Sequence, residues 1–160
     1  MSWESVKEYL TAYGAQDRMI SFSVSSATVD LAAQALGVIP ARIAKSLTFR
    51  LGDGCAVIVF AGDARVDNSA FKARFHEKAA MLPHEEVEAL TGHPVGGVCP
   101  FALNEGVPVY LDESLLRFKT VFPAAGTASS AVELTPQELF RISGAREWVR
   151  VSKGWQEAGA

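Results

Sequence analysis

The stretch Leu47-Thr-Phe-Arg-Leu51-Gly-Asp-Gly-Cys-Ala-Val-Ile-Val-Phe60 decides the fold. Its first arm alternates apolar and polar residues at period two, the spacing of a half-buried strand. Gly52-Asp-Gly54 supplies the positive-φ residues that a tight hairpin needs. The second arm is apolar throughout, which predicts a central strand covered on both faces. Toward the N-terminus, Ser2 is a candidate cap for a helix carrying Trp3, Val6, Leu10 and Tyr13 and stopped by Gly14. Ile20-Ser-Phe-Ser-Val24 reads as a strand, and Ser26 or Thr28 caps a helix from Val29 to a stop at Gly37. Pro40 opens a short helical piece, Ala41-Arg-Ile-Ala.

Toward the C-terminus, Asp67 or Asn68 begins a helix through Phe71 and Phe75, Ala79-Ala-Met-Leu82 reads as a short strand, and a helix over residues 84–90 follows Pro83. Pro108-Val-Tyr-Leu111 and Ala131-Val-Glu-Leu134 read as strands, residues 113–118 as a short turn or helix, and Pro123-Ala-Ala-Gly126 as a turn. Thr135-Pro-Gln-Glu138 carries the signature of a capped helix running to Ile142, Trp148-Val-Arg-Val151 is a closing strand, and the Gly/Ala tail is expected to fray. No internal repeat or linker divides the chain, so residues 1–160 are expected to form one domain. The mixed order with hairpin-like steps predicts an α/β (mixed α+β) fold with a mixed, partly barrel-like sheet, rather than a doubly wound parallel one.

A chain of 160 residues buries roughly 68–70% of its unfolded surface, enough for a core without staples. With 49% hydrophobic and 21% charged residues, the composition is that of a soluble globular protein. The acidic, amphipathic start resembles no signal peptide, no apolar run has the length of a membrane span, and the expected compartment is the cytoplasm. Cys55 and Cys99 are too few for a disulfide framework, and the three histidines show no metal-binding spacing, so neither a metal nor a cofactor is expected. The net charge of −3 argues against a general nucleic-acid binder. Yet residues 42–78 carry seven basic side chains against four acidic ones, and residues 79–116 carry acids only. That pattern fits either a basic face for a phosphate backbone or two solvated faces of opposite sign.

Two features carry the chemistry. Thr91-Gly-His-Pro-Val-Gly-Gly-Val-Cys-Pro-Phe101 holds three glycines and two prolines in eleven residues, with almost no charge. Its apolar residues distinguish it from a flexible linker and predict a packed loop that presents main-chain N–H groups. The second feature is Lys45. If the strand before the hairpin turn extends back two residues, Lys45 shares a face with Leu47, Phe49 and Leu51. A lysine there either snorkels to water or meets an anion or carbonyl in a pocket. Cys99 near His93 admits two readings, a thiol nucleophile or a buried inert thiol.

Leu36-Gly-Val, Ile43-Ala-Lys45-Ser-Leu, the run Gly92-His-Pro-Val-Gly-Gly-Val-Cys-Pro-Phe101, Pro108-Val-Tyr-Leu-Asp112, Gly126 and Val132-Glu-Leu134-Thr-Pro-Gln-Glu-Leu139 occur in one order. In these motifs, from about residue 20 to 148, the chain resembles the YbaK/ProX group, free-standing relatives of the prolyl-tRNA synthetase editing domain. The resemblance implies an α/β fold with a mixed, barrel-like sheet. It also implies trans-acting hydrolysis of the ester on a mischarged tRNA, with tRNA-Pro as a candidate. Lys45 matches the family's key functional residue, Gly96 and Gly97 the loop bordering the aminoacyl pocket, and Gly126 a second turn lining it. Cys99, where many members have Ser or Thr, and Ala102, where Gly is common, depart from the pattern at the pocket loop.

An ester is already activated, so the chemistry expected is water positioning and stabilisation of the oxyanion. The main chain of Gly96-Gly97-Val98 supplies donors, and a charged Lys45 holds a phosphate or polarises the carbonyl. Val95, Val98, Cys99 and Phe101 are candidates for shaping the pocket by size, and Cys99, Thr127 or Ser129 for a polar contact with a small or medium amino acid. The expected partner is the 3′ end of an aminoacyl-tRNA, with a synthetase as a candidate second partner. The alternatives are a non-catalytic module that binds the tRNA end or a synthetase, and a thiol hydrolase using Cys99.

Overall fold

The computed structural model describes residues 2–23 and 28–155. It opens with α1 (Ser2–Thr11) and β1 (Met19–Ser21), then α2 (Val29–Leu36), β2 (Ile43–Leu51) and β3 (Gly54–Ala61). β4 (Arg65–Val66), α3 (Asn68–Phe75) and α4 (His84–Thr91) precede β5 (Val109–Asp112), β6 (Phe122–Pro123) and β7 (Ser130–Val132). α5 (Pro136–Ser143), β8 (Trp148–Val149) and β9 (Ser152–Lys153) complete the described chain. The fold is mixed α/β, built on a five-stranded sheet in the order β6-β2-β3-β5-β8. β2 and β3 are antiparallel, from Ala44 opposite Ala61 to Leu51 opposite Gly54, and the other three pairings are parallel. Bridges from Ala124 to Ala131 and from Val121 to Leu134 carry the network beyond β6 to β7, which pairs with β1.

β3 is the central strand that its apolar run demands, with every residue from Ala56 to Ala61 fully buried. Val57, Val59 and Ala61 face a core closed by Val6 and Leu10 of α1 and Leu139 and Ile142 of α5. Ile58 and Phe60 face a second core with Phe49 and with Phe71 of α3. Each such side chain contributes roughly 1.5–3 kcal/mol by leaving water, so the two-sided strand anchors the domain.

The helices begin where capping chemistry places them. Thr28 accepts from the Leu31 N–H at 3.2 Å and Gly37 ends α2 in the left-handed conformation. Asp67 accepts from the Ala70 N–H at 3.1 Å, and Thr135 and Glu138 form a reciprocal capping box. α1 takes in Ser2 rather than starting after it.

Several boundaries differ from the sequence reading. The piece after Pro40 is a single 3-10 turn, Pro40–Arg42, because Ile43 and Ala44 are drawn into β2 by pairing with β6. Residues 79–82 contribute only one bridge, Met81 to Phe49, since Pro83 has no N–H to continue the ladder. β1 stops at Ser21; Val24 and the alternative cap Ser26, like the Gly/Ala tail, lie outside the described residues. The pairing of residues 131–134 divides into β7 and the Leu134 bridge.

The closing strand divides as well, into β8 against β5 and β9 against β4. Asp112 causes the break. Its carboxylate is fully buried and accepts from the Val151 N–H at 2.9 Å, the Ser152 hydroxyl at 2.5 Å and the Ser114 N–H at 3.0 Å. Asp112→Ala strands these buried donors, each worth roughly 1–3 kcal/mol. Denaturant unfolding is expected to show a loss of about 3 kcal/mol, with faster amide exchange at Val151. An unchanged midpoint would mean that the carboxylate does not tie down the C-terminal segment.

Candidate functional site

A cavity of about 490 Å³ opens along the outer edge of β2. One side of β2 is covered along its length by β3; the other is covered only at its ends. β6 pairs with Ile43 and Ala44, and residues 80–82 hydrogen-bond to Thr48 and Arg50. Lys45, Ser46 and Leu47 lie between those covers and line the cavity. Val29, Ala32 and Leu36 of α2, with Phe122, form an apolar part of the wall, and His84 and Val87 of α4 contribute to it as well.

Lys45 pairs across the ladder with Phe60 and shares its face with Leu47 and Phe49. It is half-buried, and burial pushes its pKa below the ordinary lysine value while Asp63 pulls the other way. Its ammonium donates to the Gly62 carbonyl at 3.4 Å. Among the described residues of the wall, Lys45 is the one lysine or arginine, and no carboxylate is present. Gly62 has no room for a side chain: a Cβ there would lie 2.0 Å from the Pro40 oxygen and 2.7 Å from Val29.

The glycine loop reaches the same cavity through Val95, Gly96 and Val98. Gly97 does not line it. Its N–H donates to the Pro94 carbonyl at 2.9 Å, closing a turn in which Gly96 takes φ +87°. Of the three amides expected to face substrate, those of Gly96 and Val98 therefore remain without a hydrogen-bond partner among the described residues. Gly97 instead packs on the second glycine turn, where a Cβ would meet the Gly126 carbonyl at 2.9 Å. Past Gly126, Thr127, Ala128 and Ser130 line the cavity while Ser129 does not. Thr127 and Ser130 share a hydroxyl hydrogen bond of 2.8 Å, and Thr127 also accepts from the Ser129 N–H at 3.2 Å.

Cys99 and Phe101 are fully buried behind the loop, off the cavity wall. Burial pushes the Cys99 thiol up to about 12. His93 Nε2 lies 2.7 Å from the Phe101 carbonyl, so that nitrogen carries the proton and donates it. Its 3.6 Å approach to Cys99 is therefore not that of a base to a nucleophile, and burial lowers the His93 pKa. The arrangement speaks for the inert-thiol reading. The basic segment is likewise partly spent: Arg42, Arg50 and Arg74 pair with Glu133, Glu86 and Glu147.

Sequence reasoning missed Ser46, Gly62, His84, Ser130 and the α2 wall. Ser46 Oγ is buried without a hydrogen-bond partner. Its position beside Lys45 in a strand was a usable signal; nothing local marked Gly62 or α2. Among the described residues no three His, Cys, Asp or Glu side chains cluster as a metal site, and no helix is long and apolar enough to cross a membrane.

Comparison with known proteins supplies the family. The aminoacyl-tRNA editing domain profile matches residues 24–142. "Uncharacterized protein YwhH" of Bacillus subtilis (strain 168) is 49% identical over 157 residues, spanning 98% of this chain and 100% of that protein. The Enterococcus faecalis (strain ATCC 700802 / V583) protein named "Putative Cys-tRNA(Pro)/Cys-tRNA(Cys) deacylase EbsC" is 30% identical over 139 residues, covering 86% of this chain and 79% of its own. A crystal structure described as "a putative trans-editing enzyme for prolyl tRNA synthetase" superimposes with TM-score 0.86 at 32% identity, covering 96% of this chain and 98% of the other. With its matched residues spanning most of the fold, this chain belongs to the aminoacyl-tRNA editing domain family.

Proposed function

We propose that this protein is a trans-acting aminoacyl-tRNA deacylase that hydrolyses the ester of a mischarged tRNA carrying a small or medium amino acid. The carrying observation is that one cavity presents both the Lys45 ammonium and the free amides of the glycine loop. Water adds to the ester carbonyl, the Gly96 and Val98 N–H groups stabilise the resulting oxyanion, and the bond to the ribose oxygen breaks. The ribose oxygen takes a proton and leaves as the free 3′ end; the amino acid leaves as its carboxylate. Lys45 acts through its charge, on the carbonyl or the adjacent phosphate.

No carboxylate lines the described wall, so deprotonation of water falls to His84 or to the substrate itself. The apolar wall selects by size, which is worth roughly 1–3 kcal/mol per methylene, while Thr127 and Ser46 supply hydroxyls beside it. Cysteine and tRNA-Pro are candidates that the name of the Enterococcus relative supports. The cytoplasm is the compartment consistent with this substrate, and a synthetase is a candidate partner.

The test is hydrolysis of purified tRNAs charged with alanine, serine, cysteine or proline, varying tRNA and amino acid independently. Turnover above the spontaneous rate is expected for at least one small amino acid, and none for any pair would overturn the reading. Lys45→Ala is expected to lower kcat/KM by at least ~10²-fold while thermal unfolding stays cooperative. Full activity in that variant would remove the mechanism.

The desolvated ammonium also predicts a stability signature. Between its lowered pKa and 10.5 the unfolded chain binds more protons at Lys45 than the folded one, so wild-type stability rises with pH in that window. Lys45→Met is therefore expected to melt above wild type at pH 7, with the difference closing as pH approaches 10.5. A variant melting below wild type at pH 7 would show the charge to be net stabilising.

A further inference from the structure

The uncovered middle of β2 exposes a main-chain donor and acceptor at one residue. Arg50 N–H donates to the Ala80 carbonyl and Leu82 N–H to the Thr48 carbonyl, both at 2.9 Å. Thr48 and Arg50 therefore turn their main-chain groups away from β3. Val57, opposite Thr48, likewise sends its N–H outward to the Pro108 carbonyl at 3.0 Å. Alternation along the strand puts Ser46 in the same set. Toward β6 the ladder ends at Ala44 opposite Pro123, two residues before Ser46. The Ser46 N–H and C=O thus point along the sheet plane into the cavity, with no partner among the described residues. Its buried hydroxyl is unpartnered too. Polar groups left like this are uncommon in native proteins and call for an occupant.

We propose that the aminoacyl group fills this gap as a one-residue strand. Its α-ammonium donates to the Ser46 carbonyl and its ester carbonyl accepts from the Ser46 N–H, the exchange made by a hydrogen-bonded antiparallel pair. The inference rests on the deacylase reading and names what the site recognises: the part common to all α-amino acids. A longer peptide strand is excluded, because β6 and residues 80–82 close the edge on either side of Ser46. Specificity for the side chain is left to the apolar wall.

Ser46→Pro removes one N–H that has no partner in the fold, on the open edge where sheets tolerate proline. Deacylation of alanyl-, seryl- and cysteinyl-tRNA is measured with each rate divided by spontaneous hydrolysis of the same ester. The variant is expected to lose roughly 3- to 10-fold in kcat/KM, as for a hydrogen bond between neutral groups, by a common factor for every amino acid that wild type accepts. Thermal melting reports whether the variant is folded. On wild type, tRNA carrying propionate in place of alanine keeps the methyl group but lacks the ammonium donor, and is expected to lose roughly 10- to 100-fold, as for a hydrogen bond from a charged donor. Ser46→Ala, which keeps both main-chain groups, retains the preference for alanyl over propionyl ester.

A folded Ser46→Pro with wild-type rates, a loss confined to one amino acid, or equal processing of propionyl and alanyl esters overturns the proposal. Should Ser46→Pro fail to fold, equal processing of the propionyl and alanyl esters by wild type still overturns the proposal. If wild type hydrolyses no charged tRNA, the deacylase reading falls and takes this inference with it.

Discussion

Lys45 opposite Phe60 and Leu51 opposite Gly54 belong to one antiparallel ladder, and the rest of the molecule is arranged around its register. Because side chains alternate with period two, a slip of one residue would move Lys45 to the other face and bring Ser46 into its place. The register is held by burial on both sides of β3, where Phe60 packs with Phe49 and Phe71 on one face and Val59 meets the α1 and α5 core on the other. The position of the Lys45 ammonium is thus set by hydrophobic packing of its neighbours, with a long bond of 3.4 Å to the Gly62 carbonyl added to it.

The second constraint is steric. Three close approaches of main chain to main chain shape the cavity region: Gly62 against Pro40, Gly97 against the Gly126 carbonyl, and the turn from Pro94 to Gly97. The Gly97–Gly126 contact joins the two glycine-bearing turns, so that Gly96 and Val98 on one and Thr127 on the other border the same space. Cys99, His93 and Phe101 are spent in holding the loop from behind, through the bonds to the Phe101 carbonyl. In that loop Cys99, His93 and Phe101 serve packing, while Val95, Gly96 and Val98 border the cavity.

The cavity differs from other polar sites of the fold. Thr28, Asp67 and Thr135 cap their helices, Asp112 has three donors, and Arg18, Arg42, Arg50 and Arg74 pair with acids. At β2 a lysine is partly desolvated beside a serine with no partner for its hydroxyl. Such local inconsistency is tolerated where binding an outside molecule resolves it.

Much of this was legible in residue order. The hairpin, the two-sided central strand, the caps at Thr28, Asp67 and Thr135 and the stop at Gly37 follow from spacing and local chemistry, which act over a few residues; α1 ends at Thr11, short of the expected stop at Gly14. The face carrying Lys45 follows from the same alternation, and the family from motifs in order. Pairing between distant segments decided the remainder. Whether Gly97 keeps its N–H, whether Cys99 reaches the cavity, and which part of the β2 edge stays open depend on residues 80–82, 94 and 122–126. Local pattern states that a strand has an edge; only the folded chain determines what covers it, because that cover is supplied by segments tens of residues away.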